Sequence, residues 1–62
     1  MFGKKLKDYR EQKGYTQADF AKKIGVARST LAKYEVNIGQ PSVEVLKNAS
    51  QVMNCTIDEL LN

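Results

Sequence analysis

Histidine and tryptophan are absent from this chain of 62 residues, and cysteine occurs once, as Cys55. Without histidine, the commonest general base near neutral pH is missing. A lone cysteine allows no internal disulfide and, with no histidine, no zinc-binding set. No metal and no cofactor is expected, and a reducing cytoplasm is the expected compartment. Cys55 lies in the run VMNCTIDELL and reads as a small buried hydrophobe. Long apolar runs are lacking too: none approaches the roughly 18 residues of a membrane span. The opening MFGKKLKDYR is basic with no apolar stretch behind it, so no signal peptide is expected. Strand signals are also missing, because β-branched residues never alternate over a useful length and no Asn-Gly hairpin dipeptide occurs.

What is present suits one small globular domain spanning residues 1–62. Hydrophobic residues make up 42% and charged residues 27%, which argues against disorder. A domain of this size buries only about 60% of its unfolded surface and offers no deep catalytic cleft. No nucleophile has a recognisable partner, no phosphate loop occurs, and Asp58 and Glu59 read as first-turn helix charges, so the chain is not expected to be an enzyme. The net charge of +3 is unevenly spread. Residues 1–34 carry nine Lys or Arg against three carboxylates, a balance of +6, and residues 35–62 carry Lys47 against four, a balance of −3. One half can face a polyanion; on charge alone, a solvated lysine surface explains it equally well.

Apolar spacing predicts five helices. The first runs from about Phe2 to Lys13, with Phe2, Leu6 and Tyr9 on its stripe and Gly14 as terminator. The second opens at Thr16, where Asp19 three residues on resembles a capping box. Its expected inner face is Ala18, Ala21 and Ile24 with Phe20 beside them, and Gly25 stops it. The third covers about Arg28 to Tyr34, with Leu31 and Tyr34 as its apolar pair. So short and narrow a helix would not fold alone. The loop VNIGQPS follows, with turn residues Asn37, Gly39 and Pro41. Ser42 caps the fourth helix, whose stripe is Val45, Leu46, Ala49, Val52 and Met53. Thr56 and Glu59 box the start of a last short helix, with Ile57, Leu60 and Leu61 expected to face in.

The second helix, Gly25 and the third helix meet several demands of a helix-turn-helix at once. The turn needs a left-handed residue, the close helix contact needs a small residue at Ala21, and Ile24, Val26 and Leu31 must be apolar to lock the two helices together. Arg28, Ser29 and Lys33 share one polar face of the third helix. Arginine can fork onto guanine O6 and N7, lysine reaches the same acceptors, and serine serves either phosphate or bases.

On the segments LKDYREQKGYTQADFAKKIGVARSTLAKYE and QPSVEVLKNASQVMNCTIDELL, roughly residues 6 to 61, the chain resembles the Cro and phage-repressor (XRE) family of helix-turn-helix DNA-binding proteins. That resemblance implies an all-α, compact five-helix bundle of the lambda-repressor-like DNA-binding type. It implies a transcriptional regulator, in the simplest case a repressor, binding a palindromic operator in double-stranded DNA as a homodimer with the third helix in the major groove. Arg28, Ser29 and Lys33, with Thr30 near the groove wall, match base-facing positions. Thr16 and Gln17, with Asn37, Gln40 and Ser42, match phosphate contacts. Arg10 and Glu35 match a structural ion pair joining the first helix to the end of the third. Ala27 stands where Ser or Thr often caps the third helix, and Asn37 replaces a common glycine. The alternative is a protein-interaction module of the same fold, antitoxin-like or an anti-repressor partner. A basic recognition face favours DNA. No membrane contact and no small-molecule ligand is expected.

Overall fold

Local chemistry sets the helix ends of this chain. A computed structural model describes residues 2–62; Met1, the first residue of the expected 1–62 domain, lies outside the described residues. The helices are α1 (Phe2–Lys13), α2 (Gln17–Ile24), α3 (Arg28–Glu35), α4 (Val43–Met53) and α5 (Ile57–Leu61), with no strand among the described residues. Thr16 caps α2 by accepting the Asp19 N–H at 3.0 Å, and Ser42 caps α4 by accepting that of Val45 at 3.2 Å. At α5 both halves of the capping box form: Glu59 N–H donates to Thr56 Oγ1 at 3.1 Å, and Thr56 N–H donates to Glu59 Oε1 at 2.9 Å. The box expected at Asp19 is only half made, since Thr16 caps but its own N–H makes no return bond to the Asp19 carboxylate. Gly25, at φ 79°, takes the left-handed turn between α2 and α3. Asn37 and Asn54 hold left-handed conformations at φ 62° and 53°, which asparagine tolerates better than most residues.

All five helices feed one core: Leu6, Phe20, Ala21, Ile24, Leu31, Ala49 and Leu60 are buried. Phe2, Tyr9, Tyr15, Val26, Tyr34, Val52, Met53 and Cys55 pack around it. Tyr15, in the turn between α1 and α2, stacks on Phe20 with ring centres 6.2 Å apart. Tyr34 meets Phe2 edge-on at 5.8 Å, on the core side of α3. Cys55 is only half-buried, and loss of solvent raises its thiol pKa above the ordinary value.

Two expected inner faces need correction. Ala18 is exposed and Phe20 is at the centre of the core. The stripe of α2 therefore runs through Gln17, Phe20, Ala21 and Ile24, the i, i+3, i+4, i+7 pattern of a helix seated on a core. Leu61 is 52% exposed while Leu60 is buried. In one short turn, Ile57 and Leu60 share a face and Leu61 lies about 100° round from Leu60.

Two close approaches hold the α2–α3 unit in place. Asn48 of α4 donates its amide to the Ile24 carbonyl at 3.3 Å, satisfying a C-terminal acceptor of α2. Gly3 is buried where α1 crosses the end of α3. A Cβ there would fall well inside contact distance of the Tyr34 carbonyl oxygen and 2.8 Å from Asn37 Oδ1.

Candidate nucleic-acid interface

Helix α3 presents two different faces. Leu31 and Glu35 are buried, and Tyr34 is half-buried. Arg28, Ser29 and Lys33 are exposed, and Thr30 is half-buried, so Thr30 offers less to a groove than its neighbours. None of these four side chains hydrogen-bonds within the protein among the described residues. They are held out by the packing of the opposite face. Ala27, the N-cap, has the extended φ and ψ of a cap (−70° and 152°) but no side-chain bond to give.

A polar cluster anchors the far end of this helix. Arg10 Nε donates to Glu35 Oε2 at 2.7 Å, and Arg10 Nη2 donates to Glu35 Oε1 at 3.1 Å. Side-chain exposure is 14% for Arg10 and 3% for Glu35. The hydrogen bond to Glu35 holds the guanidinium above its ordinary pKa. The third guanidinium branch donates to the Tyr15 carbonyl at 3.1 Å, pinning the turn between α1 and α2. Gln17, the first residue of α2, donates Nε2 to Glu35 Oε1 at 3.1 Å. One carboxylate thus ties together α1, the turn ahead of α2, α2 itself and the last residue of α3.

The remaining expected phosphate contacts sit around this junction. Thr16 and Gln17 lie at the start of α2, where the N–H groups of the first turn lack helical acceptors. Asn37, Gln40 and Ser42 are exposed in the connection from α3 to α4. Gln17 beside Glu35 brings the start of α2 to the end of α3, where that connection leaves. On α1, Lys4 is paired with Asp8 at 2.8 Å, which raises its pKa, and Lys5 donates to the Glu59 carbonyl. Two of the four α1 lysines, Lys4 and Lys5, are therefore occupied within the fold.

Two contributors were not legible as site residues. Asn48 sits among apolar residues of α4, and only its bond to Ile24 reveals that it supports the turn. Gly3 is a glycine inside a helix, a signal of close backbone approach that points to Tyr34 and Asn37 only once the helices are packed.

Comparison with known proteins extends this picture. A family model described as "Helix-turn-helix" matches residues 6–60. The HTH-type transcriptional regulator SinR of Bacillus licheniformis is 40% identical over 63 residues, covering 100% of this chain and 57% of the relative. A crystal structure of SinR, the master regulator for biofilm formation, in complex with DNA superposes with a TM-score of 0.85 at 38% identity, covering 100% of both chains. A SinR–SinI complex superposes with a TM-score of 0.86 at 38% identity, covering 100% of this chain and 61% of that one. The chain thus spans a little over half of the full-length SinR it matches.

Proposed function

This chain belongs to the helix-turn-helix family of the Cro and phage-repressor (XRE) type, and on that footing we propose that it binds double-stranded DNA sequence-specifically and regulates transcription. The observation that carries the reading is the division of α3. Buried Leu31 and Glu35 fix the helix, while exposed, unbonded Arg28, Ser29 and Lys33 face outward. Residues 1–62 act as one DNA-binding domain, working in the cytoplasm. Among the described residues, no helix is long and apolar enough to cross a membrane.

The mechanism follows from charge and geometry. Lysines and arginines of residues 1–34 displace counterions from the duplex, so affinity falls steeply with salt. Free N–H groups at the start of α2, the Gln17 amide and the 37–42 connection meet phosphates and set register. Arg28, Ser29 and Lys33, with Thr30 at the groove wall, then read base edges. Two protomers on a palindrome place their recognition helices one helical turn apart, roughly 34–36 Å. The homodimer is weak in solution and tightens on DNA. Sedimentation showing a tight dimer at nanomolar concentration without DNA would contradict this. Occupying a promoter makes repression the simplest outcome.

The test is selection of bound duplexes from a random library at near-physiological salt, with wild type and Arg28→Ala in parallel. A palindromic motif whose guanines lose their enrichment in the variant is the expected result, at about 1–3 kcal/mol for one base pair. A second reading, docking to a protein partner through the same fold, draws on exposed Val36, Ile38, Val43 and Leu61. It takes over if no duplex is enriched above a salt-sensitive background.

A further inference from the structure

DNA binding accounts for the polar face of α3 and leaves a neighbouring feature unused. Phe2, Tyr34, Pro41, Leu46 and Leu61 line a mostly apolar groove of about 500 Å³ between the start of α1, the connection from α3 to α4, and α5. Clefts that hold ligands run from roughly 300 to 1,000 Å³. Val36 and Ile38 flank Asn37, which also lines the groove, and Val43 stands one turn before Leu46. With Leu61, these three are each more than half exposed. Contiguous apolar surface of this kind marks an interaction site, and a phosphate backbone has nothing apolar to set against it. The rim is cationic. The Val36 and Ile38 N–H groups both donate to the Lys33 carbonyl, at 3.2 and 2.8 Å, folding this edge back on the last turn of α3. Lys7 stands one turn from Gly3, where α1 crosses the end of α3, and Lys47 stands one turn from Val43. All three lysines are exposed, and none is in an ion pair among the described residues. On the α5 side Asp58 stands one turn before Leu61, and Glu44 is about 200° round α4 from Leu46. Two copies meeting through this patch would set their lysines against one another, a like-charge contact that disfavours self-association.

Resting on the DNA-binding reading above, we propose that this groove takes an acidic amphipathic helix of a partner protein, and that the helix and DNA exclude one another. The apolar stripe of the partner, at i, i+3, i+4 and i+7, lies on Phe2, Tyr34, Leu46 and Leu61. Its carboxylates run along the flank that meets Lys33 and Lys7, away from Asp58. Lys33 belongs to the base-reading set, and Asn37 and Gln40, which line the groove, belong to the phosphate set. A helix seated there takes up three groups that DNA needs. The partner therefore opposes DNA binding by occupation, with no change of fold required.

The probe is a synthetic fluorescein-labelled helical peptide with leucines at i, i+3, i+4 and i+7, glutamates along one flank and alanines elsewhere. Two control peptides carry lysines in place of the glutamates, or glutamines in place of the leucines. Each is titrated with the chain by fluorescence polarisation at near-physiological salt. The glutamate–leucine peptide is expected to bind with a Kd of the order of 10 μM, and both controls at least about tenfold more weakly. Leu61→Ser is expected to weaken the peptide about tenfold, as for loss of one buried aliphatic side chain, and to leave affinity for the selected duplex within about twofold. Unlabelled peptide should displace that duplex from the wild type and do so about tenfold less well from Leu61→Ser. Thermal unfolding checks the fold, and Val43→Ser replaces Leu61→Ser if the latter does not fold. Equal binding of the lysine or the glutamine peptide would overturn the inference, as would a peptide that binds no better than 1 mM or that stays bound together with the duplex. A dimer in sedimentation that Leu61→Ser abolishes would also overturn it, because a second copy would then cover the groove. If the wild type selects no duplex, the DNA-binding reading falls and the exclusion with it, while the polarisation titration still decides the groove.

Discussion

Gly3→Ala is the substitution on which ordinary helix chemistry and this packing disagree most. In an exposed helix interior, replacing glycine by alanine stabilises by about 1 kcal/mol. At Gly3 the added methyl would meet the backbone carbonyl oxygen of Tyr34, with Asn37 Oδ1 at 2.8 Å and the Glu35 carbonyl carbon at 3.1 Å. A peptide carbonyl at the end of a helix cannot swing aside as a flexible side chain can. Either α1 lifts from α3 or the α3–α4 connection moves. Overpacking of this kind typically destabilises by about 1–3 kcal/mol, and contact with backbone places it at the upper end. After the gain in helix propensity, a net loss of about 2 kcal/mol is expected, against a total stability of roughly 3–9 kcal/mol for 62 residues. That corresponds to a fall in Tm of about 8–16 °C. Thermal unfolding followed by circular dichroism measures it, with Lys7→Ala, exposed on the same helix, as the control expected to change stability by less than about 0.5 kcal/mol. An unchanged or raised Tm for Gly3→Ala would refute the close approach of α1 to α3.

The N-cap of α3 can be supplied: Ala27→Ser, at a position already in cap conformation, should stabilise by about 1 kcal/mol in denaturant unfolding. Glu35→Ala leaves the Arg10 guanidinium with only the Tyr15 carbonyl, and should destabilise by about 3 kcal/mol or more by the same assay; a loss below about 1 kcal/mol would mean that solvent already screens the pair. Glu59, whose carboxylate accepts from the Thr56 N–H, is held below the ordinary pKa of 4.5. Its contribution to stability is present above the unfolded value and is lost as pH falls through the lower folded value. Glu59→Gln should therefore flatten the acid limb of a stability–pH curve by lowering stability near neutrality while leaving the acid end little changed.

Much of this fold could be read from residues whose chemistry is local. Thr16, Ser42 and Thr56 announce helix starts because a side-chain oxygen must reach a backbone N–H two or three residues on, and that distance is written in the sequence. Gly25 and the apolar set Ala21, Ile24 and Leu31 announce the helix-turn-helix because few residue types satisfy a left-handed turn and a close contact together. The failures share a cause. In an eight-residue helix, Ala18 or Phe20 could belong to the inner face, and only the position of α4 and α1 decides between them. Leu61 fails for the same reason, since one turn of helix gives no period to measure. Gly3 and Asn48 act through groups more than twenty residues away, at Tyr34 and Ile24, where no local pattern reaches. The exposed set Arg28, Ser29 and Lys33 was legible as a polar face, and the base-reading role proposed for it came from the resemblance.

The polar face of α3 bonds to nothing else among the described residues. Residues that hold the helix and residues that face outward are different residues, so mutation can search one set without disturbing the other. Replacing Arg28, Ser29 or Lys33 should leave the melting curve where it was, and stability places almost no limit on which side chains stand there. A gene duplicated with this scaffold could diverge to a new DNA target by a few surface changes, each intermediate remaining folded. The anchor at Arg10, Gln17 and Glu35 has no such freedom, because α1, α2 and α3 all meet on one carboxylate. A lineage built on this plan would keep its frame and vary its address.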